Sequence, residues 1–320
     1  MSTTPLVNIL MPTYNHERFV AEAIESVLAQ KTDFTYKLSV GDDCSTDRTQ
    51  AIVRSYAETY PDKVEFLFAP KNVGPFHRNR VSVQLLNQFN AKYVSILEGD
   101  DYWTKPYRLQ KLVDFLECHA ECSVCFHNAE MFYEDGSEPP RNIRPPDQKE
   151  ISTLEDIITG TVPIPCTALF RNHLLGELPE CFYKVTNVDW MLFILLAEHG
   201  DVGYINEVMA AYRIHSNGIW SKLDARRRLE EHIKTYRTMD SHLKYKYGRL
   251  ISKMIADLCA QYSRSCLDQY HRQVQMGEIR EGLRSLWQAT RWAPREVFRP
   301  RRLGAVVKNG LFKSFTNEGV

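Results

Sequence analysis

The sequence predicts an α/β protein with a mostly parallel sheet flanked by helices and a helical C-terminal extension. Through residues 7–97, short apolar runs alternate with amphipathic stretches of helical length, which is typical of β-α-β units with right-handed crossovers. Polar or acidic residues follow these runs, at the strand ends where parallel sheets bind ligands. With 320 residues, of which 43% are hydrophobic and 25% charged, the chain fits one large domain plus an appendage.

The first half reads as alternating strands and helices. The predicted strands are Val7–Met11, Tyr36–Val40, Val64–Phe68 and Tyr93–Leu97. The first predicted helix carries its apolar face at Phe19, Ile24, Val27 and Leu28. Ser45 or Thr46 is placed to cap a second helix that ends at Tyr60, and a third helix is expected to end near Asn90.

The second half is predicted to hold longer and more varied elements. In chain order they are a helix over Lys105–Cys118, a strand over Ser123–Phe132, an apolar stretch over Ile164–Phe170, an apolar helix over Thr186–His199, and short strands over Val202–Ile205 and Val208–Tyr212. The Pro-rich stretch Asp135–Gln148 is expected to be a mobile surface loop, with a lid over the acceptor and simple disorder both left open. From Leu223 the chain is predicted to be helical. One packed face is expected at Ile251, Met254, Ile255, Leu258, Cys259 and Tyr262.

An acidic cluster follows the fourth predicted strand, where Glu98, Asp100 and Asp101 surround Gly99. Carboxylates crowded together repel one another unless they share a proton or a cation. Magnesium and manganese are the natural cations, because they prefer oxygen ligands and complete their coordination with phosphate and water. Gly99 is expected to allow a tight turn and to leave room for a diphosphate. Helix capping by these acids is the alternative explanation.

Composition excludes some classes of protein. Lys plus Arg and Asp plus Glu balance at 40 each, which argues against nucleic-acid binding. No apolar run approaches the roughly 20 residues of a transmembrane helix, and residues 1–5 lack signal-peptide features, so we expect a cytosolic protein. Eight irregularly spaced cysteines fit a reduced compartment. A zinc site is a weak alternative, since its ligands would come from both a helix end and a strand: Cys118, His119, Cys122, Cys125 and His127.

The last thirty residues form a basic amphipathic tail. They carry seven Lys and Arg against Glu296 and Glu318, and apolar residues recur every four positions at Leu303, Val307, Leu311 and Phe315. Such a tail suits the inner face of an anionic membrane, to which the protein would bind peripherally. Packing on the core, binding a partner and forming a homo-oligomer are left open.

Six ordered motifs resemble glycosyltransferase family 2. They are VNILMPTYN at 7–15, DDCSTD at 42–47, NVG at 72–74, ILEGDDYW at 96–103 followed by KPYRLQ, VDW at 188–190 and YRIHSNGIWS at 212–221. The resemblance implies a GT-A fold over residues 1–221, with a nucleotide-binding half (1–104), an acceptor half (105–221) and a helical extension with the basic tail (222–320). It also implies inverting transfer from a nucleotide-diphosphate sugar, UDP being the expected nucleotide, to a glycan or lipid-linked acceptor.

The resemblance further implies roles for single residues. Pro12, Thr13 and Tyr14 would line the base, and Asp43 would bond its edge. The other expected donor residues are Asn15, Asp42, Asn72, Gly74, Arg78 and Asp100. Mn²⁺ or Mg²⁺ would be held by Asp101, Asp100, Glu98 and His215.

The remaining implied roles concern transfer itself. Asp189 would be the catalytic base, although the helix dipole alone also explains an acid in the first turn of a helix. Arg213 would approach the diphosphate. Further candidates are Trp103, Trp190 and Trp220. The sequence departs from the family pattern at Glu98, where Asp is commoner, and at Cys44, where Gly is usual.

The sequence counts against three other functional classes. A sugar-nucleotide-binding subunit without transfer activity would need only the donor residues, and an intact acid set counts against it. A nucleotidyltransferase would carry a glycine-rich phosphate loop where this chain has PTYNHERF at 12–19. A dehydrogenase would carry GxGxxG, which the sequence lacks.

Overall fold

The computed structural model of the chain describes residues 4–72, 89–218 and 220–297. By its internal contacts the chain divides into two compact units, residues 1–222 and residues 223–320. The first unit is α/β and the second is helical. The helix expected to end near Asn90 falls mostly outside the described residues, as does the basic tail beyond residue 297.

A mixed sheet forms the centre of the first unit. In chain order its described strands are β1 (Val7–Thr13), β2 (Tyr36–Asp42), β3 (Val64–Phe68), β4 (Tyr93–Ile96), β5 (Tyr102–Trp103), β6 (Cys122–Tyr133), β7 (Arg141–Asn142), β8 (Ile151–Ser152), β9 (Ala168–Arg171) and β10 (Asp201–Ile214). Their spatial order is β3-β2-β1-β4-β9-β6-β10-β5, with β7 on β6 and β8 on β10. The predicted α/β fold class is confirmed.

Parallel pairing brings the ends of three strands together. β1 lies between β2 and β4 and is parallel to both, and Thr13 is aligned with Asp42 at the last pair of β1 and β2. Both strands run two residues beyond their predicted ends, because the polar residues there are buried and paired like the rest. β9 is antiparallel to β4 and β6, and β10 is parallel to β6. The carboxyl ends of β1, β2 and β4 therefore meet at one edge.

Helices cover this sheet. Those described in the first unit are α1 (Val20–Leu28), α2 (Thr49–Thr59), α3 (Arg108–Cys118), α4 (Leu154–Ile158) and α5 (Val188–Ala197). α1 buries one stripe, Val20, Ala23, Ile24 and Val27. In α5, by contrast, every residue from 191 to 197 is buried, as expected of a helix that is apolar all round.

The start of α2 differs from the prediction. The residue at its N-cap position is Arg48, and neither Ser45 nor Thr46 caps the helix. The Ser45 hydroxyl instead donates to Asp42, and the Thr46 amide donates to Asn15 Oδ1 at 2.8 Å. Both residues therefore stabilise the loop before the helix.

Two other segments are more ordered than predicted. The two short strands expected between residues 202 and 212 form one strand, β10, with register shifts against β6 between Ile205 and Ala210. Such β-bulges admit extra residues without ending the strand. Within the stretch predicted as a mobile loop, β7 pairs with β6, and Asn128 Oδ1 accepts from the Arg144 amide at 2.9 Å.

The second unit consists of α6 (Ala225–His242), α7 (Gly248–Gln275), α8 (Ile279–Trp292) and α9 (Pro294–Val297) in its described part. Asp224 caps α6 by accepting from the Arg227 amide at 2.8 Å. The predicted packed face of α7 is only partly covered, because Ile251 is buried while the other five residues are half-buried. No helix among the described residues combines the length and apolar character needed to cross a bilayer.

Candidate active site

The candidate site is built where the ends of β1, β2 and β4 meet. The acid loop, residues 98–101, runs beside the end of β1, and the Gly99 amide donates to the Pro12 carbonyl at 3.1 Å. A Cβ at Gly99 would lie 2.5 Å from Thr13 Cγ2. Gly99 is thus needed for close contact with Thr13, whereas the sequence suggested that it makes room for a diphosphate.

Asp42 organises the neighbouring loop from within. It is fully buried, and its carboxylate accepts from the Thr13 hydroxyl at 3.1 Å, the Ser45 amide at 2.9 Å and Gln50 Nε2 at 2.7 Å. The Ser45 hydroxyl also donates to it. The described contacts of Asp42 therefore bind β1, β2 and α2 together, and its predicted role in donor binding stays a prediction.

The two loops that follow β1 and β2 interlock. The Asn15 amide donates to Ser45 Oγ at 2.8 Å, and the Asp43 amide donates to the Thr13 carbonyl at 3.0 Å. Asn15 and Cys44 both adopt left-handed backbone conformations, with φ of 54° and 60°. The left-handed conformation at Cys44 explains why glycine suits this position better.

The structure gathers most of the predicted donor residues at this edge. Asn72 Nδ2 donates to the Asp43 carbonyl at 3.1 Å, which adds the end of β3 to the group. The residues brought together are Pro12, Thr13, Tyr14, Asn15, Asp42, Asp43 and Asn72. Gly74 and Arg78 lie outside the described residues.

Asp100 lies between two histidines. Its Oδ2 is 3.0 Å from His215 Nε2 and 3.6 Å from His16 Nε2. Burial opposes ionisation of Asp100, but His16 and His215 outweigh it and hold the pKa of this carboxyl below its ordinary value. The side chain is still 21% exposed, so the Asp100 carboxylate remains accessible to a ligand.

Asp101 and Glu98 lie deeper. Asp101 Oδ1 accepts from the Arg213 amide at 2.8 Å, and burial followed by the charges of Asp100 and Glu98 raises the pKa of Asp101 well above its ordinary value. Burial, then the charge of Asp100, raises the pKa of Glu98 to about 8. Glu98 Oε2 is buried and has no hydrogen-bond partner among the described residues. The protein thus supplies too few hydrogen-bond donors in this loop to stabilise the ionised forms of Glu98 and Asp101.

The carboxylate oxygens of this loop are ligands that suit a divalent cation, although they do not converge on one point. Within residues 4–72, 89–218 and 220–297, no three His, Cys, Asp or Glu side chains converge as a metal site. The predicted ligands Glu98, Asp100, Asp101 and His215 are therefore neighbours without forming a complete coordination shell. Magnesium and manganese commonly need only one or two protein carboxylates beside phosphate and water, so the orphaned Glu98 oxygen and the accessible Asp100 fit such an ion.

Asp189 approaches the acid loop from α5. It lies in the first turn, half-buried, and it is close enough that its charge contributes to the raised pKa of Glu98. Burial raises the pKa of Asp189 to about 6, although the amides of Trp190 and of Asp189 itself favour the ionised form. The side chain of Trp190 is half-buried beside it.

Arg213 holds the acid loop in place. Its guanidinium donates to the Asp100 carbonyl at 2.9 Å and to Glu22 at 2.6 Å. The rings of Phe19 and Phe132 lie 4.6 and 4.9 Å from it. Its described contacts are thus with the protein, and a contact with the diphosphate stays a prediction.

Trp103 belongs to the core. It is buried, its Nε1 donates to the Cys166 carbonyl at 2.9 Å, and Arg108 stacks 4.0 Å from its ring. Trp220, at the end of the last motif, is half-buried. Of the three tryptophan candidates, only Trp103 is thereby removed from the accessible surface.

The weak zinc alternative is not supported among the described residues. Cys118 is exposed while Cys122 and Cys125 are buried, and His127 Nε2 accepts from Arg108 at 2.9 Å. Burial is the main cause that lowers the pKa of His127 well below its ordinary value, so the imidazole is neutral and able to accept.

Sequence reasoning missed His16, Glu22 and Arg108. His16 follows directly after the PTYN motif and could have been noticed as a polar residue at a strand end. Glu22 carries no such signal, and the KPYRLQ motif that contains Arg108 assigns it no role. The partners of both residues include groups far away in the chain.

Comparison with known proteins completes the picture. The family model described as Glycosyl transferase family 2 matches residues 8–178. An uncharacterized protein of Mycobacterium tuberculosis (strain H37Rv) is 33% identical over 218 residues, which cover 67% of this chain and 60% of the relative. The putative teichuronic acid biosynthesis glycosyltransferase TuaG of Bacillus subtilis is 27% identical over 219 residues, covering 68% of this chain and 82% of the relative. The chain thus spans about 60% of the length of the first curated relatives it matches.

Solved structures share the fold. S. aureus TarS 1-349 in complex with UDP-GlcNAc has a TM-score of 0.53 at 18% identity, over 90% of this chain and 92% of that one. The mannosyltransferase PcManGT from Pyrobaculum calidifontis, in complex with GDP-Man and Mn²⁺, has a TM-score of 0.59 at 15% identity, over 99% of this chain and 89% of that one. At these identities the likeness concerns the fold alone.

Proposed function

This chain belongs to glycosyl transferase family 2, and we propose that it transfers a sugar from a nucleotide-diphosphate donor to an acceptor hydroxyl with inversion of configuration at the anomeric carbon. In that reaction the acceptor oxygen bonds to the anomeric carbon as the bond to the diphosphate breaks, and the hydroxyl proton passes to a carboxylate. The observation that carries this proposal is the approach of Asp189 to the acid loop at the edge of the sheet.

Asp189 is the proposed general base. An acceptor hydroxyl is too weak an acid to ionise alone near neutral pH, so a positioned carboxylate must accept its proton as it attacks. A pKa of about 6 leaves Asp189 ionised at neutral pH yet more basic than an ordinary aspartate. A direct displacement of this kind needs no covalent sugar intermediate.

The donor is proposed to lie over the interlocked loops after β1 and β2, in the half formed by residues 1–104. Pro12, Thr13 and Tyr14 would flank the base, and Asp43 would bond its edge. The solved neighbours are complexes with UDP, UDP-GlcNAc or GDP-Man. These complexes support a nucleotide-sugar donor, and we propose UDP as its nucleotide.

Asp100 and Asp101, with Glu98 and His215 beside them, are the residues that would hold Mn²⁺ or Mg²⁺. When bound, the cation would supply positive charge next to the departing diphosphate. The protein's own part is orientation: His215 holds the Asp100 carboxylate, and the Arg213 amide holds Asp101.

The acceptor is proposed to be a growing surface polysaccharide or a lipid-linked glycan, bound within residues 105–221. Relatives named for teichuronic acid biosynthesis and succinoglycan biosynthesis support this assignment. Both names describe the relatives, and the acceptor of this chain is our proposal.

The test begins with the donor. Full-length protein should show a thermal shift with one of UDP-, GDP- or dTDP-sugars when manganese is present, and that donor should then support transfer to an acceptor. NMR of the product should show an anomeric configuration opposite to that of the donor. Retention of configuration would refute the single displacement. Donor binding with hydrolysis alone, across a panel of lipid-linked and oligosaccharide acceptors, would instead favour a subunit without transfer activity.

A further inference from the structure

An exposed apolar stripe crosses the junction between α7 and α8. Met276, Ile279, Leu283 and Trp287 are 68, 42, 57 and 58% exposed. Ile279, Leu283 and Trp287 are spaced four residues apart and so lie along one side of α8, while Met276 lies at the end of α7. We call these four residues the elbow face. Large apolar side chains grouped in this way commonly mark an interaction surface.

The opposite side of α8 packs against α7 and so keeps the elbow face exposed. Gly282, Ser285 and Ala289 are buried on that side. A Cβ at Gly282 would lie 3.0 Å from Val274 Cγ2, and the Ser285 hydroxyl donates to Gln273 at 2.9 Å. Because the small residues already pack against α7, rotation of α8 to bury the elbow face would replace close contacts with bulky side chains.

Arginines surround the elbow face. Residues 272–295 carry five arginines, namely Arg272, Arg280, Arg284, Arg291 and Arg295, against Glu278 and Glu281. All five arginines are exposed, and the Arg291 guanidinium lies 5.4 Å from the centre of the Trp287 ring. A recess of about 430 Å³ at the end of α7 is lined by Arg272, Met276, Glu278 and three glutamines. The surface therefore combines an exposed apolar stripe with a border in which arginines outnumber glutamates.

We propose that the elbow face docks on an anionic lipid surface. Apolar and tryptophan side chains would enter the boundary between headgroups and acyl chains, while arginines with long aliphatic stems would reach the phosphates. The excess of arginine over glutamate matches the negative potential of such a surface. This inference concerns the second unit alone and does not depend on the transfer reaction.

Charge disfavours the other occupants. A two-fold contact between copies of this face would set arginines against arginines. Residues 298–320 carry five Lys and Arg against one Glu, so they would also meet the face with like charge. A nucleic acid would satisfy the arginines but would leave the aliphatic stripe without a partner.

The test is vesicle flotation with the full chain. It should float with phosphatidylcholine vesicles that contain phosphatidylglycerol, float poorly with phosphatidylcholine alone, and lose binding as salt rises. Leu283→Ser combined with Trp287→Ser should abolish flotation. Arg280→Gln and Arg284→Gln should each weaken it about fivefold. Leu67→Ser, at a site that is 45% exposed in the first unit, is the matched control and should float normally.

Three results would overturn the proposal. One is equal flotation of the double variant and the wild type. Another is loss of self-association in the double variant, measured by light scattering, without any flotation of the wild type. The third is binding to an oligonucleotide, but not to vesicles, that the arginine variants lose. Unchanged melting temperatures and donor-induced thermal shifts would show that the variants are folded.

Discussion

Asp42 and the acid loop lie at the same sheet edge, but the protein stabilises their carboxylates in opposite ways. The carboxylate of Asp42 accepts hydrogen bonds from Thr13, Ser45 and Gln50. In the acid loop, Glu98 has an oxygen without a described partner, and the pKa values of Glu98 and Asp101 are raised by burial and by their neighbours. The difference teaches that a carboxylate satisfied by the protein serves the fold, whereas crowded carboxylates are available to a ligand that brings positive charge or a proton.

Asp189→Asn is the strongest test of this contrast, because Asp189 lies beside the crowded acids. The amide cannot take up the acceptor proton, so we expect transfer to fall about 10³-fold while the donor still binds. The measurement is the transfer rate at saturating donor, with thermal shift to follow donor binding. Asp114→Asn, on the exposed side of α3, is the matched control.

The pH dependence of the transfer rate distinguishes a role of Asp189 in proton transfer from a purely structural role. In the wild type the rate should fall about tenfold per pH unit below pH 6, because protonation of Asp189, whose pKa is about 6, removes the base. In the Asn variant this limb should be missing from the residual rate. Near-normal transfer by Asp189→Asn would remove the residue from the reaction.

Asp42→Ala should have the largest effect on stability. It leaves the Ser45 amide, Gln50 and Thr13 without their buried acceptor, so we expect a loss of about 3 kcal/mol in the free energy of unfolding. Urea denaturation measures this loss, with Asp62→Ala, an exposed acid, as control. An unfolding free energy equal to that of the wild type would erase the distinction between the two groups.

Glu98→Gln should stabilise the protein, in contrast to Asp42→Ala. The pKa of Glu98 is about 8 in the fold against an ordinary value of 4.5, so the folded chain binds more protons than the unfolded chain between those values. The contribution of Glu98 to stability is therefore fully present below pH 4.5 and is lost as pH rises through 8. In EDTA the variant should gain about 1 kcal/mol over the wild type at alkaline pH, and less at acidic pH.

Thermal melting at several pH values, repeated with manganese, checks this prediction. The advantage of Glu98→Gln should shrink when the cation is present, since the cation would relieve the repulsion in the wild type. Glu58→Gln, an exposed glutamate on α2, should show neither trend. A variant less stable than the wild type at every pH would mean that Glu98 is satisfied after all.

Cys44→Gly should have the smallest effect on the free energy of unfolding. Cys44 lies in the loop after β2 that Asp42 stabilises, so this substitution tests that loop alone. Relief of the left-handed backbone at φ 60° is partly offset by the greater freedom of glycine when unfolded. We expect a gain of about 0.5 kcal/mol in denaturant unfolding. Cys118→Gly, at an exposed position that ends α3, should destabilise the protein instead.

The sequence allowed prediction of features that depend on local pattern. The four early strands are found where apolar runs indicated them, and the acids follow β4 as expected. Features that depend on distant partners could not be predicted. Arg108 is fully buried yet donates to Ser95 at 3.0 Å and to the Ala168 carbonyl at 3.1 Å, an environment that no neighbour in sequence reveals.

The candidate site shows the same limit. The residue types of the acid loop already indicated a need for positive charge, but not that His16 would share Asp100 with His215. Nor could the pattern show that Arg213 would point at Glu22. Local chemistry is thus predictable from sequence, whereas the direction in which a long side chain points depends on tertiary packing.

The contact between Gly99 and Thr13 has a consequence for how related sequences vary. A β carbon at position 99 would lie 2.5 Å from the Thr13 methyl, so the space between the two positions cannot hold both groups. Homologous chains that carry alanine or serine in place of the glycine should therefore carry a smaller residue than threonine at the other position, so that the two sites change as a pair.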